Sequence, residues 1–310
     1  MADSVNELKP PVLVVGGTRS GTSILAKLLG AAPGHCLWYE PNIIWRIGSA
    51  YSPDDAVDAT VATRAVRRKI HRLFLEYQRR HDGARVVEKT PYNVLRVGFL
   101  HAVFPDARIV HIYRDGRANL RSQLDRFENF RTYNVTSGRS AQVIRERLST
   151  IPWWEWPAYL PRAAGGLFRS YVTKQKPGWW GVRYPGWRED RGRLSKTKIA
   201  AKQWVVAVTE ARRALAELPR DAWFETRYED LVTNPRESFD QIARFIGMDD
   251  EARERLVDAA GESVRTSSLT KWRDELEPGV LDEAMPIMGD LLDELGYLAD
   301  DDRQEALAEA

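Results

Sequence analysis

The chain has 310 residues, 46 Lys and Arg against 44 Asp and Glu, a net charge of +2, and one cysteine, Cys36. That length buries a core without staples, and a lone cysteine excludes a disulfide framework or a multi-cysteine zinc site. With 29% charged and 10% aromatic residues, the composition excludes a disordered chain, a collagen and a strongly basic nucleic-acid wrapper. The N-terminus lacks a basic segment followed by an apolar one, and no run approaches the roughly 20 apolar residues of a spanning helix. The expectation is therefore a cytoplasmic single domain over 1–310, with no membrane span and no nucleic-acid partner; an oligomer is left open. The stretch 299–310 is read as an acidic, solvated tail.

In chain order, Val12 to Val15 is an apolar, largely β-branched run followed by Gly16 and Gly17, which predicts a buried parallel strand ending in a tight loop. Thr22 to Gly30 follows with helical spacing. His35 to Tyr39 predicts a second, short strand ending at Glu40-Pro41. Ser52-Pro53-Asp54-Asp55 carries an N-cap pattern and predicts a helix from there to Arg80, with Val61, Ala65, Leu73 and Tyr77 facing inward. Arg85 to Val87, Arg108 to Tyr113 and Trp223 to Arg227 predict strands. Asp115 to Arg126, Ala200 to Leu218, Pro235 to Ile246 and Val280 to Leu295 predict helices. The alternation implies an α/β domain with a central parallel sheet flanked by helices. Its core covers about 11–126 and 199–297, and a Trp-rich insertion at about 127–198 interrupts the rhythm.

The loop after the first strand, Gly16-Gly17-Thr18-Arg19-Ser20-Gly21-Thr22-Ser23, nearly fits the P-loop pattern, with Thr22 where an NTPase has Lys. The cation is moved to Arg19, while backbone N–H groups, a helix N-terminus and the hydroxyls of Ser20, Thr22 and Ser23 still form an anion cradle. Further along, Arg114 leaves the end of a strand in Arg114-Asp115-Gly116-Arg117, with Ser122 and Arg126 following on one helical face. A guanidinium there suits bidentate phosphate binding. Read singly, each motif also fits an ordinary tight turn or a surface ion pair.

Arg19-Ser20-Gly21-Thr22-Ser23 resembles the 5′-phosphosulfate loop of the sulfotransferases that use 3′-phosphoadenylyl sulfate (PAPS). Its Arg is similar to that of the tyrosylprotein and Golgi carbohydrate 6-O-sulfotransferases, where cytosolic small-molecule enzymes have Lys. The resemblance spans about 12–130 and 200–297. It implies a P-loop-type fold and a donor site formed by Gly17, Thr18, Arg19, Ser20, Gly21, Thr22 and Ser23, with Arg114, Ser122 and Arg126 on the 3′-phosphate. Tyr228, in Arg227-Tyr228-Glu229-Asp230, resembles the tyrosine bordering the nucleotide. Lys271, in Ser268-Leu269-Thr270-Lys271-Trp272, resembles a nucleotide-contacting lysine.

The implied reaction is in-line transfer of SO₃ from PAPS to a hydroxyl, leaving PAP, with no metal. It needs the leaving phosphate neutralised and the acceptor deprotonated. Arg19 and Lys89 are candidates for the first need. Glu40, 21 residues after Arg19, resembles the catalytic glutamate of the Arg-loop enzymes, and Trp38, Tyr39 and Trp45 are candidates for an apolar wall raising its pKa. The alternatives are a P-loop kinase of a small molecule and a non-catalytic nucleotide-binding module. The acceptor is a carbohydrate, tyrosine or natural-product hydroxyl, and Arg-rich stretches at 64–72 and 183–193 leave room for an acidic one. Six of the 11 tryptophans lie between 153 and 187, and Trp153, Trp154, Trp156, Trp179 and Trp180 are candidates for lining the acceptor.

Overall fold

A computed structural model of the chain describes residues 7–128, 157, 181–264 and 269–299. The five expected strands form one parallel sheet in the order β2-β3-β1-β4-β5, with β1 at Val12–Val15, β2 at His35–Tyr39, β3 at Arg85–Lys89, β4 at Arg108–Tyr113 and β5 at Trp223–Arg227. β1 is central and wholly buried, as expected of a strand covered on both faces. Alternate residues serve opposite layers: Leu13, Val86 and Ile109 face one core, and Val12, Val87 and Val110 the other.

The helices are α1 (Thr22–Ala31), α2 (Arg64–Arg79), α3 (Val97–Val103), α4 (Gly116–Glu128), α5 (Trp187–Arg193), α6 (Lys196–Ala216), α7 (Tyr228–Thr233), α8 (Pro235–Ile246), α9 (Asp250–Ser263), α10 (Lys271–Glu275) and α11 (Pro278–Glu294). α1, α8 and α9 cover one face of the sheet. α2, α3 and α6 cover the other, and α4 packs against α6 and α11 beside it.

The helix expected from Ser52 begins at Arg64 instead. The Asp55 carboxylate, required as the acidic third residue of that cap, is drawn inward by Arg46 (3.2 Å) and Arg96 (3.4 Å), and its Oδ2 accepts from the Arg183 N–H at 2.8 Å. Residues 53–55 thereby form a non-helical bend, and the Thr63 hydroxyl caps α2 by accepting from the Val66 N–H. Ala65 is exposed, and the inward face carries Ile70, Phe74 and Gln78 with Leu73 and Tyr77 half-buried. α6 starts at Lys196 rather than Ala200 because the Ser195 hydroxyl accepts from the Lys198 N–H at 3.1 Å. α3, α5, α7, α9 and α10 complete the helices that periodicity did not mark. Of the expected insertion, 129–156 and 158–180 lie outside the described residues, as do Trp153, Trp154, Trp156, Trp179 and Trp180. Among the described residues no helix is long and apolar enough to cross a membrane.

Candidate active site

The chain leaves β1 through a loop whose two ends, Gly16 and Gly21, have no room for a side chain. A Cβ on Gly16 would fall 2.4 Å from the Ile112 carbonyl oxygen, so the loop passes directly over β4. Gly21 caps α1 at φ 91°, in the left-handed region, and a Cβ there would meet the Tyr228 ring at 2.3 Å. Between them Arg19 adopts φ 68°, a conformation costly for a side chain with a Cβ. α4 holds this loop from below. Asn119 donates to the Thr18 carbonyl at 2.8 Å and to the Ser20 hydroxyl at 3.3 Å, while Gln123 fixes the Asn119 amide at 2.6 Å.

A cavity of about 340 Å³ opens at the carboxyl ends of β1 and β4, lined by Arg19, Thr22, Ser23, Arg114, Ser122 and Tyr228 among others. Strand ends at a change of winding direction are where open α/β sheets hold ligands. Gly21 and Lys271 also line it, so most of the donor residues expected from the sequence converge there. Gly17, Thr18, Ser20 and Arg126 do not line it; Ser20 is fully buried and its hydroxyl is taken by Asn119. Ile24, Ala118, Arg121 and Trp272 line it unanticipated. Four cations and four hydroxyls thus face one space, and among the described residues no acidic side chain lines it.

The two expected anion sites touch across this cavity, because Arg19 Nε donates to the Ser122 hydroxyl at 2.7 Å. Arg114 is buried, its guanidinium lies 4.4 Å from the centre of the Tyr228 ring, and its carbonyl accepts from the Trp204 indole at 2.9 Å. The rest of the Arg-Asp-Gly-Arg turn is scaffold. Arg117 grips Asp115 at 2.8 and 3.1 Å, and Asp115 N–H donates to Glu229, whose other carboxylate oxygen accepts from Tyr297 at 2.9 Å. The Arg117 guanidinium also lies 4.2 Å from the centre of the Trp272 ring, which fixes the C-terminal wall of the cavity.

Glu40 and Lys89 meet at the ends of the neighbouring strands β2 and β3. Lys89 is almost wholly buried, donates to Glu40 Oε1 at 2.6 Å and lies 3.9 Å above the Tyr39 ring, whose hydroxyl is 3.0 Å from Ser23. Glu40 sits at φ 53° and its N–H donates to the Lys89 carbonyl at 2.8 Å, so β2 is locked to β3 where the carboxylate emerges. The aromatic wall is arranged differently from expectation. Trp45 is in the core with Phe74, and Trp38 stacks on Tyr77 at 4.2 Å, leaving the Glu40 side chain 35% exposed beside Tyr39. Glu88, next along β3, points to the opposite layer. It accepts from Thr90 at 2.6 Å and Asn93 at 3.1 Å, and complete burial pushes its carboxyl up to about 7. His111 is a core histidine, its Nδ1 2.9 Å from Glu225.

A glycine-rich loop after the central strand, a second cationic turn after the adjacent one, and a carboxylate–lysine pair beside them place the candidate site at the strand ends of an α/β sheet. Residues 10–151, which carry both turns and the Glu40–Lys89 pair, match the model of the sulfotransferase family. Among curated proteins, protein-tyrosine sulfotransferase A of Caenorhabditis elegans is 26% identical over 134 residues, which is 40% of this chain. The match spans 35% of that relative, about a third of its length. Among solved structures, the sulfotransferase domain from the curacin biosynthetic pathway aligns at a TM-score of 0.48 and 15% identity, over 92% of this chain and 98% of that one. Mouse sulfotransferase SULT7A1, complexed with PAP, aligns at 0.42 and 14% identity, over 92% and 88%.

Proposed function

We propose that the chain moves a sulfuryl group from PAPS to an acceptor hydroxyl. The observation that carries this reading is the convergence of one candidate group from each of five strand ends: Arg19 after β1, Glu40 after β2, Lys89 closing β3, Arg114 after β4 and Tyr228 after β5. The lining suits an adenosine bisphosphate, since it offers cations and hydroxyls to two phosphates, the rings of Tyr228 and Trp272 to a base, and no acid to repel either. Bound there, PAPS supplies an activated sulfuryl group on a phosphate leaving group.

The chain's own residues do the rest. The Arg19 loop and the N-terminus of α1 hold the 5′-phosphate and stabilise the charge it gains as the S–O bond breaks. Arg114 and Ser122 hold the 3′-phosphate. Lys89 stabilises the transferring oxygens, and Glu40 takes the acceptor's proton. In the free protein the two are ion-paired at 2.6 Å, so Lys89 holds the Glu40 carboxylate in position until the acceptor hydroxyl reaches it. A P-loop kinase fits less well, because Thr22 stands at the phosphate-lysine position and both Asp115 oxygens are committed to Arg117.

The test is single-turnover transfer of labelled sulfate from PAPS to a panel of carbohydrate, phenol and tyrosyl-peptide hydroxyls. Wild type is expected to label at least one class, while Glu40→Gln retains PAP affinity and slows transfer by about 10²–10⁴-fold. Unchanged transfer by Glu40→Gln removes Glu40 as the base.

A further inference from the structure

Resting on the sulfotransferase reading, the cavity contains a cation that the sequence did not assign to it. Arg121 precedes Ser122 on α4, lines the same cavity as Arg114, Ala118 and Ser122, and is about one-third exposed. Arg126, the cation expected to join Ser122, lies one further turn along α4 and outside the lining. A turn advances a helix by about 5.4 Å, enough to carry a residue on the right face past the end of a cavity this size.

Arg121 is also held from the rim by Glu275 at the end of α10, in a close ion pair. α10 is itself part of the site: its first two residues, Lys271 and Trp272, line the cavity, and Trp272 rests on the locked Arg117 guanidinium. The Glu275 carboxylate therefore satisfies, from within the chain, a guanidinium that faces the nucleotide space. A carboxylate and a phosphate offer a guanidinium the same bidentate geometry, and the phosphate monoester carries the larger charge.

We infer that Arg121 is a binding residue for the 3′-phosphate of the donor, and that Glu275 competes with that phosphate for it. The nucleotide exchanges one anion for another on Arg121, which releases Glu275 and uncouples the end of α10 from α4. Two properties follow. Arg121 contributes to selecting a 3′-phosphorylated nucleotide over one bearing only a 5′-phosphate. Glu275 lowers the affinity for donor and product alike, which favours release of the spent nucleotide.

Calorimetric titration with PAP and with 5′-AMP tests this without turnover. Arg121→Ala is expected to weaken PAP by roughly tenfold or more and to leave 5′-AMP within about twofold. Arg121→Lys falls between, because it keeps the charge and loses the fork. Glu275→Gln tightens PAP several-fold in the wild-type background and has no effect in an Arg121→Ala background, because the competitor then has nothing to occupy. Equal losses for PAP and 5′-AMP in Arg121→Ala, or wild-type PAP affinity in it, overturn the assignment of Arg121. Weaker PAP binding in Glu275→Gln overturns the competition. Wild type binding PAP while Arg121→Ala is unaltered removes this inference alone; wild type failing to bind PAP removes the sulfotransferase reading and this inference with it.

Discussion

Glu88 and Lys89 are adjacent on β3 and have opposite fates. Strand alternation turns Lys89 to the site and Glu88 into the layer under α2 and α3. Glu88, pushed up to about 7 by burial from an ordinary 4.5, keeps a proton in the folded chain that the unfolded chain releases above about pH 4.5. Its contribution to stability is thus fully present below about pH 4.5 and is lost as pH rises to about 7. Thermal melts from pH 4.5 to 8 are expected to show wild type losing stability relative to Glu88→Gln across that window and running parallel above it. A constant difference at every pH contradicts the buried, proton-holding Glu88. On the other face, removing the Glu40 carboxylate leaves Lys89 buried without its counter-charge. Glu40→Gln is expected to cost about 1–3 kcal/mol by denaturant unfolding, less than a fully buried pair because Glu40 is partly solvated. At this scale the motif-borne residues were legible: Arg19, Arg114, Ser122 and Tyr228 stand at fixed offsets from strand ends. Arg121 and the Lys89–Glu40 pairing were not, since both depend on partners distant in the chain, Glu275 for one and a neighbouring strand for the other.

At the scale of elements, every strand among the described residues was readable because the parallel sheet requires short apolar runs bounded by turn residues, and β1, β2, β4 and β5 have the boundaries expected. β3 runs two residues further, to Lys89, because Glu88 and Lys89 read as polar yet are buried. The start of α2 misled for a specific reason. Ser52-Pro53-Asp54-Asp55 has the local grammar of an N-cap, but Arg46 and Arg96 compete for its aspartate from outside the segment. The difference is measurable. Thr63→Ala is expected to destabilise the chain by about 1 kcal/mol through loss of the α2 cap, and Ser52→Ala by less than about 0.5 kcal/mol, in urea titrations. A larger loss for Ser52→Ala would place the helix start where the sequence alone put it. α3 was missed because its seven residues, with no side-chain cap, carry too short a period to register.

For the whole molecule, the central point is that one sheet gathers at its carboxyl edge what the chain distributes over some 250 residues, from Arg19 to Lys271. The middle of the chain adds Val182 and Tyr184 to the buried residues and the half-buried Trp187, whose indole donates to the Pro53 carbonyl at 2.9 Å. A ligand bridging the Arg19 loop, α4 and Lys271 ties N-terminal and C-terminal parts together. Saturation with PAP at about a hundred times its dissociation constant is therefore expected to stabilise the fold by about 2.7 kcal/mol, seen as a melting temperature raised by several degrees.

Calorimetric titration of PAP into the wild-type chain and Arg114→Ala, in EDTA, is the most direct test of a PAPS site at these strand ends. The prediction is saturable 1:1 binding without metal, weakened at least tenfold in the variant. Binding of ATP that requires Mg²⁺, with no heat from PAP, would contradict it.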